Sequence, residues 1–250
     1  ANIKMDSSIQ DGWRINLDFK KSSQDTFLRR YDLDDETAFR SEFSGNKTTN
    51  NSHYHVEFSE IQNLTDTSTE RNSPITLPSI TVEKTGKGFI EGHILKTKIH
   101  ANHIWQDLGH DVSRWNIQQT NFNSHENKLG IFENEIGYLG SIYQVNKRND
   151  GFTNTGEVIR ANIHASSVWR RYYNYTVNKK SLIFEPKIKL TFIGGDDKNN
   201  DIPNRDSADF RIDSANMFLT NRFQGYDYVP PGARADIGLS AFTNSKILGS

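Results

Sequence analysis

The stretch Leu182-Ile183-Phe184-Glu185-Pro186-Lys187-Ile188-Lys189-Leu190-Thr191-Phe192 decides how this chain folds. Leu182, Phe184, Pro186, Ile188, Leu190 and Phe192 alternate with Glu185, Lys187, Lys189 and Thr191. Successive side chains of a strand point to opposite faces, so this period of two puts apolar groups on one face and full charges on the other. The run is about as long as the 9–11 residues that a tilted strand needs to cross a bilayer. Pro186 removes one ladder donor and therefore predicts an edge, a bulge or a locally weakened pairing.

The same alternation spreads outward in both directions. Trp13, Ile15, Leu17 and Phe19 alternate with Arg14, Asn16, Asp18 and Lys20. Tyr54, Val56 and Phe58 alternate with His55 and Glu57, and Ile159, Ala161, Ile163 and Ala165 with Arg160, Asn162, His164 and Ser166. Near the end, Ala233, Ala235, Ile237 and Leu239 alternate with Arg234, Asp236, Gly238 and Ser240. No stretch of comparable length keeps a period of 3.6, so little helix is expected.

Composition agrees with half-buried strands. Only 34% of the residues are hydrophobic and the mean hydropathy is −0.73, yet aromatics reach 11%, more than a disordered chain carries. The net charge of −1 supplies no basic field for nucleic acid or an anionic leaflet. With no cysteine, a disulfide framework and a thiolate metal site are both excluded. Apolar runs are too short for a membrane-spanning helix, which leaves a spanning barrel open. The opening Ala1-Asn2-Ile3-Lys4 shows neither an initiator Met nor a signal-peptide pattern, so the chain reads as a piece of a longer protein.

Connections are expected to alternate in length. Short ones are expected at Gly45 to Asn51, Thr85-Gly86-Lys87-Gly88, Ser124 to Lys128 and Asn178-Lys179-Lys180. Longer polar ones are expected at Asn63 to Ser73, Trp105 to Arg114, Gly194 to Ser207 and Leu219 to Gly232. The reading is all-β: an antiparallel up-and-down meander of roughly ten strands, residues 1–250 forming one partial segment of a large outer-membrane β-barrel. A soluble β-sandwich binding module gives alternation too, and a substrate-specific porin or transporter barrel is a further alternative. Mid-strand charges at Glu185, Lys187 and Lys189 favour a wet barrel interior, as does the lack of apolar strands or helices to cover such a sheet.

Motifs that could carry chemistry fail in turn. Asp197-Lys198-Asn199-Asn200-Asp201 starts like a calcium loop, but Ile202 replaces the required Gly and Ala208 the bidentate Glu, so a solvated loop is expected. His53 and His55 share a face, and His100, His103 and His110 lie near a loop, without companion carboxylates or thiolates for zinc. Glu133 and Glu135 share a face as catalytic carboxylates can, but in wet surroundings they read as charges of a hydrated interior. Thr85-Gly86-Lys87-Gly88 is too short for a phosphate loop, and no nucleophile elbow is present. No enzyme, cofactor or metal is expected.

The C-terminal third carries a specific resemblance. Phe184-Glu185-Pro186-Lys187-Ile188 is followed by Ile202-Pro203-Asn204-Arg205-Asp206-Ser207, Asn216-Met217-Phe218, Asn221-Arg222-Phe223-Gln224-Gly225-Tyr226-Asp227, and Gly232-Ala233-Arg234 leading to Gly238-Leu239. This succession resembles the LptD (organic solvent tolerance, OstA) family of lipopolysaccharide-assembly proteins. Asp25-Thr26-Phe27-Leu28-Arg29-Arg30-Tyr31-Asp32 and Pro74-Ile75-Thr76-Leu77-Pro78 look like two earlier stretches of that family. Tyr228, Pro230 and Ile237 depart from its pattern, which has an Arg, an acidic residue and a Tyr there.

The resemblance implies the middle portion of a large barrel, with the seam strands, a periplasmic jellyroll and the family's cysteines outside this chain. It implies insertion of lipopolysaccharide into the outer leaflet of the outer membrane. The partners it implies are lipopolysaccharide, an LptE-like plug lipoprotein, an LptA-like periplasmic bridge, the barrel-assembly machinery and membrane lipid, with no nucleic acid. The motif residues expected to anchor a loop are Glu185, Pro186, Asn221, Arg222, Phe223, Gly225, Asp227, Gly232, Arg234 and Gly238. Among them Arg222, Asp227 and Arg234, which flank the aromatic anchors Phe223 and Tyr226, are expected to form one buried network holding the long loop in the barrel mouth.

Overall fold

The computed structural model describes residues 2–22, 37–64, 74–106, 111–146, 156–177, 180–207, 213, 216–223 and 225–244. The Asp25–Asp32 stretch, His110, Ala208, Gln224, most of the 63–73 connection and the turn at 178 and 179 lie outside the described residues.

Twelve strands form one antiparallel sheet. They are β1 (Asn2–Ser8), β2 (Trp13–Lys20), β3 (Ala38–Thr48), β4 (Ser52–Asn63), β5 (Ile75–Lys87), β6 (Ile94–Trp105), β7 (Asp111–Asn127), β8 (Gly130–Asn146), β9 (Gly156–Arg170), β10 (Tyr173–Val177), β11 (Lys180–Gly195) and β12 (Gly232–Asn244). The single helical element among the described residues is the 3-10 turn Gln10–Gly12 between β1 and β2. Neighbours in sequence are neighbours in the sheet, except that β11 pairs with β9, β10 and β12. Among the described residues β1 pairs only with β2 and β12 only with β11, so the sheet is open.

Pro186 explains one of the strand breaks. Lys187 lies opposite Arg170 and Phe184 opposite Tyr173, so β9 and β10 follow one line against β11 without an inserted residue. The gap falls at Arg171 and Tyr172. The Arg171 N–H donates to the Pro186 carbonyl at 3.3 Å, and in an antiparallel pair the return bond would come from the amide of residue 186. Proline has none, so the ladder opens there, while pairing to β12 continues past Leu239. Of the three outcomes read from the sequence, locally weakened pairing is the one that occurs. Pro78 sits where the register of β5 shifts on both sides, between Thr76 and Ser79 against β6 and between Glu57 and Ser59 of β4.

Several expected connections prove to be strand. Gly45 to Thr48 extend β3, Ser124 to Asn127 extend β7, and Asp111 to Arg114 open β7. The last of these carries polar residues on both faces, which hid its period; Val112 is held by Tyr143, Val145, Val158 and Ile202. The connections expected at Gly194 to Ser207 and Leu219 to Gly232 belong to one excursion, residues 196–231, with no strand among its described residues. The tight connections, 9–12, 49–51, 88–93 and 128–129, follow odd-numbered strands and share one rim. Those at 64–74, 106–110, 147–155 and 196–231 share the opposite rim.

Register carries the alternation across the whole sheet. Ile15, Gly45, Val56, Ile80, Ala101, Trp115, Ile142 and Ile159 are paired each to the next from β2 to β9. The adjacent row runs Arg14, Asn46, His55, Thr81, His100, Asn116, Ser141 and Arg160. One row is wholly apolar and the other wholly polar. Over β7 to β9 their burial is the reverse of a globular protein's: Trp115, Ile142 and Ile159 are exposed, while Asn116, Ser141 and Arg160 are buried; at the β2 end Arg14 of the polar row is exposed.

Candidate functional site

The polar face is covered where the excursion 196–231 lies back over β6 to β12. Two sets of side chains hold it there.

The first set centres on Arg114, which β7 presents on the polar face. Its Nη1 donates to Asp206 Oδ2 and to Asp227 Oδ1, both at 2.6 Å, and its Nε donates to Asn102 Oδ1 of β6 at 2.7 Å. Tyr143 of β8 donates its hydroxyl to Asp227 Oδ1 at 3.1 Å. Arg160 of β9 donates to the Asp227 carbonyl at 2.9 Å and also to the Tyr226 carbonyl. Within the excursion, the N–H groups of Arg205 and Asp206 donate to Asp227 Oδ2 at 2.8 and 3.2 Å. The N–H groups of Tyr226 and Asp227 donate in return to Asp206 Oδ1 at 3.1 Å. The Tyr226 ring stacks on His100 with centroids 4.8 Å apart.

These contacts set the two carboxyl groups differently. Burial pushes the Asp206 pKa up, but Arg114, the N–H groups of Asp227 and Tyr226 and the Ser207 hydroxyl outweigh it and hold the group below its ordinary range. Burial pushes Asp227 up; Arg114 opposes the rise and the neighbouring Asp206 adds to it. Asp206 therefore keeps its charge longer as pH falls.

Glycine is required at one position in this set. Gly225 has a φ of +76°, and a side chain there would overlap the Asp206 carboxylate. Gly225→Ala is expected to destabilise the docked excursion, by about 1–2 kcal/mol for the left-handed backbone alone and more for the displaced carboxylate. Chemical denaturation of the full-length protein, paired with protease cutting inside 196–231, measures it; unchanged cutting contradicts this packing.

The second set lies toward β11 and β12. Arg222 pairs with Asp236, and Arg234 Nε donates to the other Asp236 oxygen at 2.9 Å. Lys189 donates to the Phe218 carbonyl at 3.0 Å, to Thr220 Oγ1 at 2.8 Å and to Glu135 Oε1 at 3.3 Å. Lys187 lies 4.5 Å from the Phe218 ring centroid. A Cβ on Gly238 would meet that ring at 2.8 Å, so a side chain there would have to displace it.

The sequence-derived residues thus divide. Arg222 and Arg234 share Asp236, whereas Asp227 pairs with Arg114; the single network expected of Arg222, Asp227 and Arg234 is two. Asn221 donates to the Tyr228 carbonyl at 3.1 Å and accepts from the Phe223 N–H at 3.1 Å, and the Phe223 ring packs on Tyr228 at 4.3 Å. Gly232 opens β12 at a φ of +128°. Glu185 lies 3.8 Å from Arg170, near the tight-turn rim and apart from the excursion, as does Pro186. In the loop expected to be solvated, Asp197, Lys198 and Asn200 are exposed, while the half-buried Asn199 donates to and accepts from the Val229 backbone, both at 2.9 Å. Sequence reasoning missed Arg114, Tyr143, Arg160, Lys189 and Asp206 as anchors. The only signal was a run of long polar side chains on one face of apolar strands.

Among the described residues no group of three or more His, Asp or Glu is arranged to hold a metal ion. Glu133 pairs with Arg170 at 2.6 Å and Glu135 with Lys189 at 3.3 Å, so neither is an isolated acid. A cavity of about 580 Å3 lies between the sheet and the excursion residues Leu219 to Asn221, Phe223, Gly225, Tyr226 and Val229, and a second of about 480 Å3 shares Lys98, Gln118 and Glu135 with it.

An open antiparallel meander, apolar where exposed and polar where covered by its own long loop, is a segment of a β-barrel. A family model described as LPS transport system D matches residues 1–246, and the chain belongs to that family, LptD. No curated protein matches it. Membership makes the chain a component of lipopolysaccharide transport.

Proposed function

We propose that this chain is part of the wall of an outer-membrane barrel through which lipopolysaccharide is inserted into the outer leaflet. The observation that carries this reading is the pair of adjacent rows, which over β7 to β9 leave the apolar residues exposed and the polar ones buried. In water such a sheet would leave Trp115, Ile142, Ile159 and Ile163 uncovered; in a bilayer those residues meet acyl chains. The polar face then lines a hydrated lumen, and the tight-turn rim faces the periplasm, as in bacterial barrels. The excursion enters from the other rim and narrows the lumen over β6 to β12. Its anchors fix it without any chemical step, so the chain guides a substrate and does not transform one.

The assembly that this implies includes a plug lipoprotein in the lumen, a periplasmic bridge delivering lipopolysaccharide and the barrel-assembly machinery. Depleting the full-length protein is expected to lower surface lipopolysaccharide. A photoreactive residue at Gln118 in that protein is expected to form an adduct with lipopolysaccharide, and one at Ile117 an adduct with bilayer phospholipid. Unchanged surface lipopolysaccharide on depletion contradicts the proposal. Small-solute conductance with unchanged surface lipopolysaccharide supports a porin instead.

A further inference from the structure

The connection between β5 and β6, residues 88–93, differs from the other tight connections of its rim. Those at 9–12, 49–51 and 128–129 carry at most one large apolar residue each, whereas this one reads Gly88-Phe89-Ile90-Glu91-Gly92-His93. Phe89 is 73% exposed and Ile90 53%, so two large apolar neighbours stand open at a turn, which polar residues and glycine usually supply.

The connection is held against one face of the sheet. The Gly88 N–H donates to the His93 carbonyl at 2.8 Å and the His93 N–H to the Ile90 carbonyl at 3.1 Å, which closes the turn on itself. The Phe89 N–H donates to Asn121 Oδ1 of β7 at 3.0 Å. Thr120 meets His164 on the polar face, so the period of two puts Asn121 on the apolar face, in line with Trp115 and Ile117. A Cβ on Gly88 would meet the same Asn121 oxygen at 2.7 Å, so the backbone lies close to that face.

Register gives the depth. The paired row that starts beside the β3–β4 turn, Thr48, His53, Glu83, Lys98, Gln118, Leu139 and Asn162, ends at Gly195 on the opposite rim. The strands are therefore tilted, and at the ~35–45° of a barrel a level of constant depth moves about one residue toward the tight-turn rim at each strand. Asn121 pairs with Ile136 and Ile136 with Ala165, so Asn121 stands at about the depth of Ser167, one outward position from Trp169. Tyr138 lies on the same face, its hydroxyl donating to Gln119 at 2.9 Å. Trp and Tyr mark the boundary between acyl chains and headgroups. On β5 and β6 the outward positions at that end are Lys84, Gly86, Leu95 and Thr97, with no aromatic residue.

We propose that Phe89 and Ile90 insert into the headgroup layer of the leaflet at the tight-turn rim and continue there the aromatic belt of Tyr138 and Trp169. The inference rests on the membrane reading given above. Continuity selects the occupant: the connection is bonded to the face that meets acyl chains, at the depth of its boundary aromatics. The exposed Lys84 and Lys87 before the pair and Glu91 after it are charges that a headgroup layer accommodates and an acyl layer does not, which limits the insertion to the interface.

The test uses the full-length protein, without other reactive thiols, in phosphatidylcholine nanodiscs. Phe89→Cys and Ile90→Cys each carry an environment-sensitive fluorophore, with Asn50→Cys on the same rim and Ile188→Cys on the apolar face as references. Lipids bearing a nitroxide at the headgroup or deep in the acyl chain, and aqueous iodide, are the quenchers. Probes at 89 and 90 are expected to lose most of their signal to the headgroup nitroxide, less to the acyl one and little to iodide, while the probe at 50 responds to iodide. Phe89→Asp returns the probe at 90 to the iodide response of position 50, and Phe89→Trp keeps its lipid response. Iodide quenching at 89 and 90 equal to that at 50, with lipid quenching intact at 188, overturns this inference alone. Protection of 89 and 90 from iodide and nitroxide lipid alike also overturns it, because a protein surface then covers the connection. Absence of lipid quenching at 188 as well overturns the membrane reading and this inference with it.

Discussion

Arg114→Ala is expected to detach the excursion 196–231 from the sheet and to destabilise the full-length protein by about 3–5 kcal/mol, the cost of breaking a buried ion pair. Arg114 and Asp227 are 5% and 2% exposed, so neither can recover its hydration in place. Removing the guanidinium leaves two carboxylates, Asp206 and Asp227, facing each other with their common cation gone. They would then repel in surroundings of low effective dielectric, and the simplest relief is undocking. Lysine in place of Arg114 should recover only part of the loss, because a single ammonium does not reproduce the fork that reaches Asp206, Asp227 and Asn102 together. Arg160→Ala should weaken the same docking, and the double variant should show less than the sum, since both act on Tyr226–Asp227. Limited proteolysis inside 196–231 and denaturant midpoints read the effect. Wild-type protease resistance in Arg114→Ala contradicts this account of the loop.

Ile163→Lys separates a barrel wall from a water-facing sheet. Ile163 stands at the middle of β9, is 61% exposed and pairs with Tyr138 of β8 and Gly194 of β11. On a soluble protein, a charge at so exposed a position changes stability by about 0.5 kcal/mol or less. On the outer face of a barrel near the bilayer midplane it costs about 2–4 kcal/mol. The predicted loss, measured by denaturation of protein folded into lipid vesicles, is therefore several times larger than the surface alternative allows. Gln118→Lys is the internal comparison, since it adds the same charge on the polar face beside a cavity, and it should cost less than Ile163→Lys. The reverse order contradicts the assignment of faces.

The architecture was largely legible because a period of two is a local property. Leu182 to Phe192 alone shows both the strand and its two-sided chemistry, and the paired rows from Ile15 to Ile159 repeat that pattern strand after strand. Strand ends were less legible. Asp111-Val112-Ser113-Arg114 reads as loop because polar residues fall on both faces, and only Val145, Val158 and Ile202, distant in sequence, show why Val112 starts a strand. The anchoring network was the least legible part. Asp227 was found from its motif, but its partner Arg114 is 113 residues away in the chain, and no local rule selects one arginine among many at that range. Arg222 and Arg234 were read as partners of Asp227 because they are near it in sequence. The strand pairing instead puts Asp236 opposite Lys189, beside both arginines.

The most direct test of the central claim, that the apolar face meets lipid, is a single-cysteine scan from Leu182 to Phe192 in the full-length membrane-embedded protein. Each site is probed with a lipid-phase quencher on an attached fluorophore and with a water-soluble thiol reagent. Cysteines at positions 184, 188 and 190 should respond to the lipid quencher and resist the aqueous reagent. Those at 185 and 187 should do the opposite. Position 189 should resist both, because Phe218, Thr220 and Glu135 cover Lys189. If no position reports lipid, the sheet is not a membrane wall and the account fails.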